Sequence, residues 1–455
     1  MKKTILLLTD IILLYFSLVI TLFIRYQYFS WELLQEHLWP FSIVFALWLI
    51  VFFINGLYEI RKVKNDYKFY GQLINNLIVN TLLAFSFFYL ILGRFSNLRP
   101  QKVLIILILI FAILWIIWRK IFFSLLSSIR LSNNLAIIGI NPESLLLAQE
   151  IITQPHLGYK LKLFINPESL NIPEKFQIIP STKDLANLKK DLEKYKINTV
   201  VVVNNPKYSP EVARYLFESI DLKITYSNLI DFYEKITGKI PVTDLERSWF
   251  FENLSQKNND WFQIIKRIYD LFFAILFGLI SLVFLPFLAL LIKLESNGPL
   301  IYKQKRVGLG GKEFYAYKFR SMKKDAEKNT GAQWAKEKDA RITKIGKIIR
   351  KTRIDEIPQF WNIIKGEMSF VGPRPERPEF VEILKQEIPF YNERHLIKPG
   401  LTGWAQINFP YGASIEDAKE KLQYDLFYVK NQSIALDISI ILKTINTIFN
   451  RSLGR

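Results

Sequence analysis

Four long apolar runs open the chain, at residues 4–24, 39–57, 73–92 and 103–125, and they constrain its fold more than any other feature. Each is close to the roughly 20 residues that cross a bilayer as a helix. Hydrocarbon offers no partner for backbone N–H and C=O groups, so runs of this kind fold as helices. The first run has no small-residue cleavage site and is followed by three more, so it reads as retained rather than as a signal peptide. Lys2 and Lys3 precede it. Arg61, Lys62, Lys64 and Lys68 lie between the second and third runs, and Arg119, Lys120 and Arg130 accompany the end of the fourth. Lys and Arg accumulate on the cytoplasmic side, which assigns these segments there. Arg94, Arg99 and Lys102 in the opposite loop weaken that assignment without reversing it. Residues 1–130 are therefore expected to form a four-helix transmembrane domain.

At 455 residues the chain should hold two or three domains. Its formal net charge of +19 suits an anionic partner: a phospholipid surface, nucleic acid or a phosphorylated metabolite. Cysteine is absent, which excludes disulfides, thiolate nucleophiles and cysteine-ligated metals. Only three histidines occur, His37, His156 and His395, which argues against a histidine-rich metal site or a histidine-driven mechanism.

Residues 131–241 alternate strand and helix signals. Leu135-Ala136-Ile137-Ile138-Gly139 reads as a buried parallel strand and 144–152 as the next helix. Thr199-Val200-Val201-Val202-Val203 reads as a second strand, with a helix at 210–220. This order implies a doubly wound, Rossmann-like α/β domain. The turn after the first strand, Gly139-Ile140-Asn141-Pro142-Glu143, lacks the second and third glycines of a dinucleotide fingerprint. A structural, oligomerising or regulatory role fits this domain better than dinucleotide binding.

A linker is expected at 242–262. A fifth apolar run then occupies 271–292, flanked by Lys266 and Arg267 before it and by Lys293, Lys303, Lys305 and Arg306 after it. Two basic flanks both favour the cytoplasmic side. Pro286 removes a helical N–H bond and clashes with the carbonyl of Leu282, so a kink or break is expected there. Residues 266–293 therefore read as a re-entrant segment that dips into the bilayer and returns. At its mouth, Arg267 and Asp270 read as headgroup-level anchors.

Chemistry concentrates in 296–455. Gly308-Leu309-Gly310-Gly311-Lys312 has the wrong spacing for a phosphate loop and reads as a turn. Lys318-Phe319-Arg320-Ser321-Met322 places two cations on an expected strand. Arg350-Lys351-Thr352-Arg353-Ile354-Asp355-Glu356 sets adjacent carboxylates in a basic stretch, with Pro358 and an apolar pattern predicting a helix just after them. Met368-Ser369-Phe370-Val371-Gly372-Pro373-Arg374-Pro375 follows. Lys398-Pro399-Gly400-Leu401-Thr402-Gly403-Trp404-Ala405-Gln406-Ile407-Asn408 completes the series. Two acids among so many cations suit a phosphorylated substrate, because guanidinium groups bind phosphate bidentately. The tail, 434–449, has apolar residues at helical spacing and reads either as a surface-lying amphipathic helix or as core.

In this order, behind a basic-flanked apolar run, these motifs resemble the polyprenyl-phosphate phosphoglycosyl transferases, the bacterial sugar transferase family, over about 266–446. The four spans and the α/β domain ahead of them look like the family's large form, found in exopolysaccharide and O-antigen initiation. The resemblance implies an α-rich monotopic catalytic domain over 263–455, on the cytoplasmic face of the bacterial inner membrane. It implies transfer of a sugar-1-phosphate from a UDP-sugar to undecaprenyl phosphate with release of UMP. Asp355 would be the nucleophile and a Mg²⁺ ligand, assisted by Glu356. Arg350, Arg374, Lys318, Arg320 and Lys398 would meet phosphate, with Arg350 and Arg374 the leading candidates. Trp404, Gln406 and Asn408 are candidates for nucleotide or sugar, although a tryptophan there is more often a packing residue. Lys398 stands where arginine is common, and Phe409-Pro410-Tyr411-Gly412 replaces a common Gly-Arg-Asn, so the sugar stays open. Homodimerisation is also left open. A non-enzymatic membrane sensor with a nucleotide-binding α/β domain is the alternative. It would need the missing glycine fingerprint and would have no use for Asp355-Glu356. A nucleic-acid-binding role rests on charge alone and has no motif behind it.

Overall fold

A computed structural model describes residues 2–59, 67–91, 101–127, 133–203, 210–254, 260–323, 341–409, 412 and 414–449. Arg61, Lys62, Lys64, Arg94, Arg99, Arg130, Pro410 and Tyr411 lie outside the described residues. The chain divides into two compact units, Met1–Thr237 and Gly238–Arg455.

The first unit begins with α1 (Lys2–Tyr26), α2 (Trp31–Ile54), α3 (Tyr67–Ser86), prolonged by a π-helical turn at Phe87–Ile91, and α4 (Gln101–Ser127). All four are long and apolar enough to cross a membrane. α2 starts at Trp31, ahead of its apolar run, because the Ser30 hydroxyl accepts the Leu33 N–H at 3.1 Å and caps the helix. The bundle core stacks Phe52 on Trp115, with ring centroids 4.5 Å apart. Inside it Arg119 donates to Asp10 at 2.5 Å, and the Trp115 indole N–H reaches the other Asp10 oxygen at 3.0 Å. Both charged side chains are fully buried. Neither charge is tolerable alone in such surroundings, and each neutralises the other.

Then come β1 (Asn133–Ile138), α5 (Pro142–Thr153), β2 (Tyr159–Ile165), β3 (Ser181–Thr182), α6 (Leu188–Lys194), β4 (Thr199–Val202), α7 (Pro210–Glu218), β5 (Thr225–Asn228) and α8 (Leu229–Thr237). The strands form one parallel sheet in the order β3-β2-β1-β4-β5, the expected doubly wound arrangement. Apolar layers cover both faces, as an all-parallel sheet requires. Gly139 follows β1 at φ +91°, and a Cβ there would lie 2.9 Å from the Val203 side chain. Close strand packing therefore accounts for this glycine.

The second unit holds α9 (Arg247–Leu254), α10 (Asp260–Glu295), β6 (Ile301–Val307), β7 (Glu313–Phe319), α11 (Lys344–Lys351), α12 (Phe360–Lys365), β8 (Ser369–Val371), α13 (Pro378–Glu387), β9 (Gly400–Thr402), α14 (Trp404–Asn408), α15 (Ile415–Asn431) and α16 (Ile434–Phe449). β6 and β7 form an antiparallel hairpin whose turn carries Gly310 and Gly311 at positive φ, and β8 pairs in parallel with β9. The stretch expected as a linker is largely folded onto this unit. Val242, Leu245 and Trp249 are buried, the Ile240 N–H bonds the Gln423 carbonyl at 3.1 Å, and Phe250 packs on Phe390. Leu436, Ile440 and Ile441 put one face of α16 in the core, while Ile438 and Ile445 stay exposed.

α10 runs as one helix of 36 residues through Pro286, so of the expected kink or break the break does not occur. A proline removes only one N–H bond, which a long apolar helix absorbs. Just 6% of its most apolar window is buried, at a mean hydropathy of 2.9. Yet both ends are tied to the second unit. At the start Arg267 donates to the Ile363 and Ile364 carbonyls at 2.6 and 2.8 Å, and Asp270 accepts the Phe370 N–H at 3.0 Å. Nearby, Lys266 pairs with Asp437 and donates to the Tyr428 hydroxyl at 3.1 Å. At the far end Ile292 packs with Phe319 and Ile349, and Glu295 accepts the Lys344 and Ile345 N–H groups at 2.5 and 2.7 Å.

Candidate active site

The carboxylate pair lies on a 3-10 turn, Ile354–Gln359, between α11 and α12. Thr343 caps the start of α11 by accepting the Gly346 N–H at 2.9 Å, and the Glu295 carboxylate covers the two preceding N–H groups. At the other end Arg353 adopts the left-handed conformation, φ +60°. This costs a side chain with a Cβ about 1 kcal/mol, and it reverses the chain out of the helix. Asp355 and Glu356 then face inward, each 5% exposed.

β7 runs beside this turn, and Asn362 fixes the register. Its fully buried amide accepts the Tyr317 N–H at 3.1 Å and donates to the Tyr315 carbonyl at 2.7 Å, standing in for a strand partner along the edge of β7. Lys318, next in the strand, thereby reaches Glu356 Oε1 at 3.1 Å. Arg374, from the turn after β8, donates to the same oxygen at 2.5 Å, and Arg353 lies 3.6 Å from it. Burial alone would raise the pKa of Glu356. Arg374, Lys318 and Arg353 outweigh it and hold the carboxyl well below the ordinary glutamate range.

Asp355 has the opposite environment. Its Oδ1 is buried without a hydrogen-bond partner among the described residues. Burial and the adjacent Glu356 charge push its pKa up, against the pull of Lys318, Arg350 and Arg353. Two neighbouring carboxylates are thus split into one locked as an anion and one held under electrostatic tension.

The structure brings Asp355, Glu356, Arg350, Lys318 and Arg374 together, and it adds Arg353 from the same motif. The remaining candidates lie elsewhere. Arg320 follows the last residue of β7, donates to the Ser296 carbonyl and packs under Gly298. Lys398 lies beside Arg267 at the C-terminal end of α12, where a Cβ on Gly366 would be 3.6 Å from both cations. Burial and Arg267 lower its pKa. The Trp404 indole donates to the Gly238 carbonyl at 2.9 Å and its ring stacks on Phe427. Gln406 bonds the Leu401 carbonyl and Asn408 the Trp404 carbonyl, local bonds that hold the short helix α14 together. Among the described residues no three His, Asp or Glu side chains converge as a metal cage. A hard cation bound through one carboxylate and phosphate oxygens still fits Asp355, whose Oδ1 is unshared.

Residues 261–451 match the family described as Bacterial sugar transferase, and 53–217 match one described as CoA-binding domain. The chain is 40% identical over 262 residues to a UDP-N-acetylgalactosamine-undecaprenyl-phosphate N-acetylgalactosaminephosphotransferase of Aeromonas hydrophila, covering 57% of this chain and 61% of the relative. It is 32% identical over 330 residues to a UDP-glucose:undecaprenyl-phosphate glucose-1-phosphate transferase of Xanthomonas campestris pv. campestris, covering 69% and 66%. It spans less than two thirds of either relative. An exopolysaccharide production protein PSS of Rhizobium leguminosarum bv. phaseoli is 39% identical over 196 residues, covering 42% of this chain and 98% of the relative. The residues after β1 do not fit the phosphates of a coenzyme. Asn141 and Ser144 cap each other's N–H groups at 2.7 and 3.0 Å, Pro142 has no N–H, and Glu143 puts an acid in the first turn of α5.

Proposed function

We propose, because this chain belongs to the bacterial sugar transferase family, that it transfers a sugar-1-phosphate from a UDP-sugar to undecaprenyl phosphate and releases UMP. The observation that carries this reading is the buried, unshared Asp355 oxygen beside a carboxylate locked by cations. In the first displacement the Asp355 carboxylate attacks the phosphorus that bears the sugar. The phosphoanhydride bond breaks and UMP leaves with the electron pair. In the second, an oxygen of undecaprenyl phosphate attacks the same phosphorus and the Asp355 carboxylate departs. One phosphoanhydride replaces another, so no external energy source is required, and the two steps predict ping-pong kinetics.

Arg350, Arg353, Lys318 and Arg374 supply four cationic groups against two carboxylates. The excess of two positive charges matches a diphosphate dianion, whose repulsion by Asp355 must be cancelled. Mg²⁺ held by Asp355 would further neutralise the diphosphate and the leaving UMP. The names of the relatives point to N-acetylgalactosamine or glucose as the sugar.

Five helices long and apolar enough to cross a bilayer, within this family, make the chain a membrane protein. We place the catalytic unit on the cytoplasmic side, where UDP-sugars are made. Attachment of both ends of α10 to one unit supports entry and return on that side.

The test is to incubate membranes containing the protein with a panel of UDP-sugars, undecaprenyl phosphate and Mg²⁺, and to measure UMP. Wild type should release UMP with at least one donor, and Asp355→Asn should release none. A donor labelled in the phosphate next to the sugar should leave label on the wild-type chain when acceptor is omitted. UMP release by Asp355→Asn would remove Asp355 as the nucleophile.

A further inference from the structure

Arg374 stands on a turn whose backbone is held at every step. Pro373 and Pro375 flank it with fixed φ angles. The Pro373 carbonyl accepts the Gly400 N–H at 2.9 Å, and the Glu376 carbonyl accepts the Val307 N–H at 2.9 Å. The Pro375 carbonyl accepts from Arg306 at 2.8 Å, and the carbonyl of Arg374 itself accepts Arg394 Nη2 at 2.9 Å. Arg394 is 5% exposed and lies 2.8 Å from Asp425, which is 2% exposed. Its other terminal nitrogen donates to the buried Tyr391 hydroxyl at 2.6 Å. Burying such an ion pair adds little net stability, because desolvation offsets the attraction. The pair is explained instead by what it holds. Arg394 grips the backbone of Arg374, and the Arg374 guanidinium meets Glu356 at 2.5 Å.

We infer that Arg394, fixed by Asp425 and Tyr391, is a positioning residue that sets where the Arg374 guanidinium meets the donor's diphosphate. The identity of that ligand rests on the transfer reading above. Only a planar fork spans the Arg374 carbonyl, the aspartate and the phenol together. Lysine at this position would keep the charge and lose that geometry.

The experiment uses the full chain in lipid nanodiscs, with Arg374→Ala, Arg394→Met, Arg394→Lys and the Arg374→Ala/Arg394→Met double variant. Three readouts are taken: kcat/KM for UMP release, affinity for UDP by calorimetry, and Tm. Displacing Arg374 by about 1 Å should lower kcat/KM by about 100-fold in Arg394→Met. The double variant should then match Arg374→Ala within about 2-fold, in turnover and in UDP affinity. Arg394→Lys should recover only part of the loss. Losses that multiply in the double variant, or full activity in Arg394→Lys, would overturn the proposal. If Arg394→Met does not fold, Arg394→Lys takes its place in the same cycle. If wild type releases UMP from no donor, the transfer reading fails, and UDP affinity across the variants still decides the positioning role.

Discussion

Asp355 and Glu356 are neighbours whose surroundings drive their titrations apart, and this difference is measurable. In the proposed displacement Asp355 attacks as its anion, and its pKa is raised by burial and by Glu356. The acidic limb of the kcat/KM profile should therefore lie above the ordinary aspartate range. An acid with a raised folded-state pKa favours the fold when protonated, and that contribution is lost as pH rises through the folded value. Asp355→Asn should thus abolish turnover while leaving Tm at neutral pH unchanged or higher. Glu356 has the opposite sign. Its depressed pKa stabilises the fold above the ordinary glutamate range, and this is lost as pH falls through the folded value. Glu356→Gln strands three cations and should cost about 3 kcal/mol in denaturant unfolding, the low end for a broken buried pair, because Lys318 and Arg374 keep some solvent contact. The acids and most of their cations were legible because carboxylates embedded in positive charge have few bland explanations. Arg320 and Lys398 do not join these cations, because a cation's destination depends on where the chain turns after it. The inward alternation of β7 ends at Phe319, and Arg320 folds back to Ser296.

Among the elements, α11 and β7 decide whether the site forms. Asn362 is the link to β7, and its role has no sequence signal, since an asparagine before Ile363 and Ile364 reads as an ordinary helix residue. Asn362→Ala leaves the Tyr317 N–H and Tyr315 carbonyl unpaired and should cost about 2 kcal/mol, with kcat/KM falling because Lys318 loses its register. Gly346 is equally restrictive. A Cβ there would lie 2.0 Å from the Ser321 carbonyl oxygen, so Gly346→Ala should displace α11 and lower both Tm and activity. Glu295→Ala, which uncaps α11, should cost about 1 kcal/mol. α10 itself was visible as an apolar run of the right length. Its continuity through Pro286 was not, because a proline signals a missing N–H bond and says nothing of the neighbours that compensate.

For the whole molecule, the doubly wound sheet was legible from its alternating apolar strands, whereas the boundary of the catalytic unit was not. Residues 242–254 look polar enough for a linker, yet Val242, Leu245 and Trp249 are buried in the second unit. Expression of residues 238–455 should give a folded, active protein in detergent. A version starting at residue 263 should aggregate or melt lower, and equal Tm values for the two would refute the assignment of 242–254 to that core. The Rhizobium relative, aligned over nearly its whole length to 196 residues of this chain, fits a catalytic unit that stands alone. One further consequence follows from the double attachment of α10. On the proposed entry and return of α10 on one side, this segment adds volume to a single leaflet and spreads the lipid headgroups there without spreading those opposite. Bilayers under curvature stress, such as those rich in lipids with small headgroups, should take up the 238–455 protein more readily than flat, tightly packed ones.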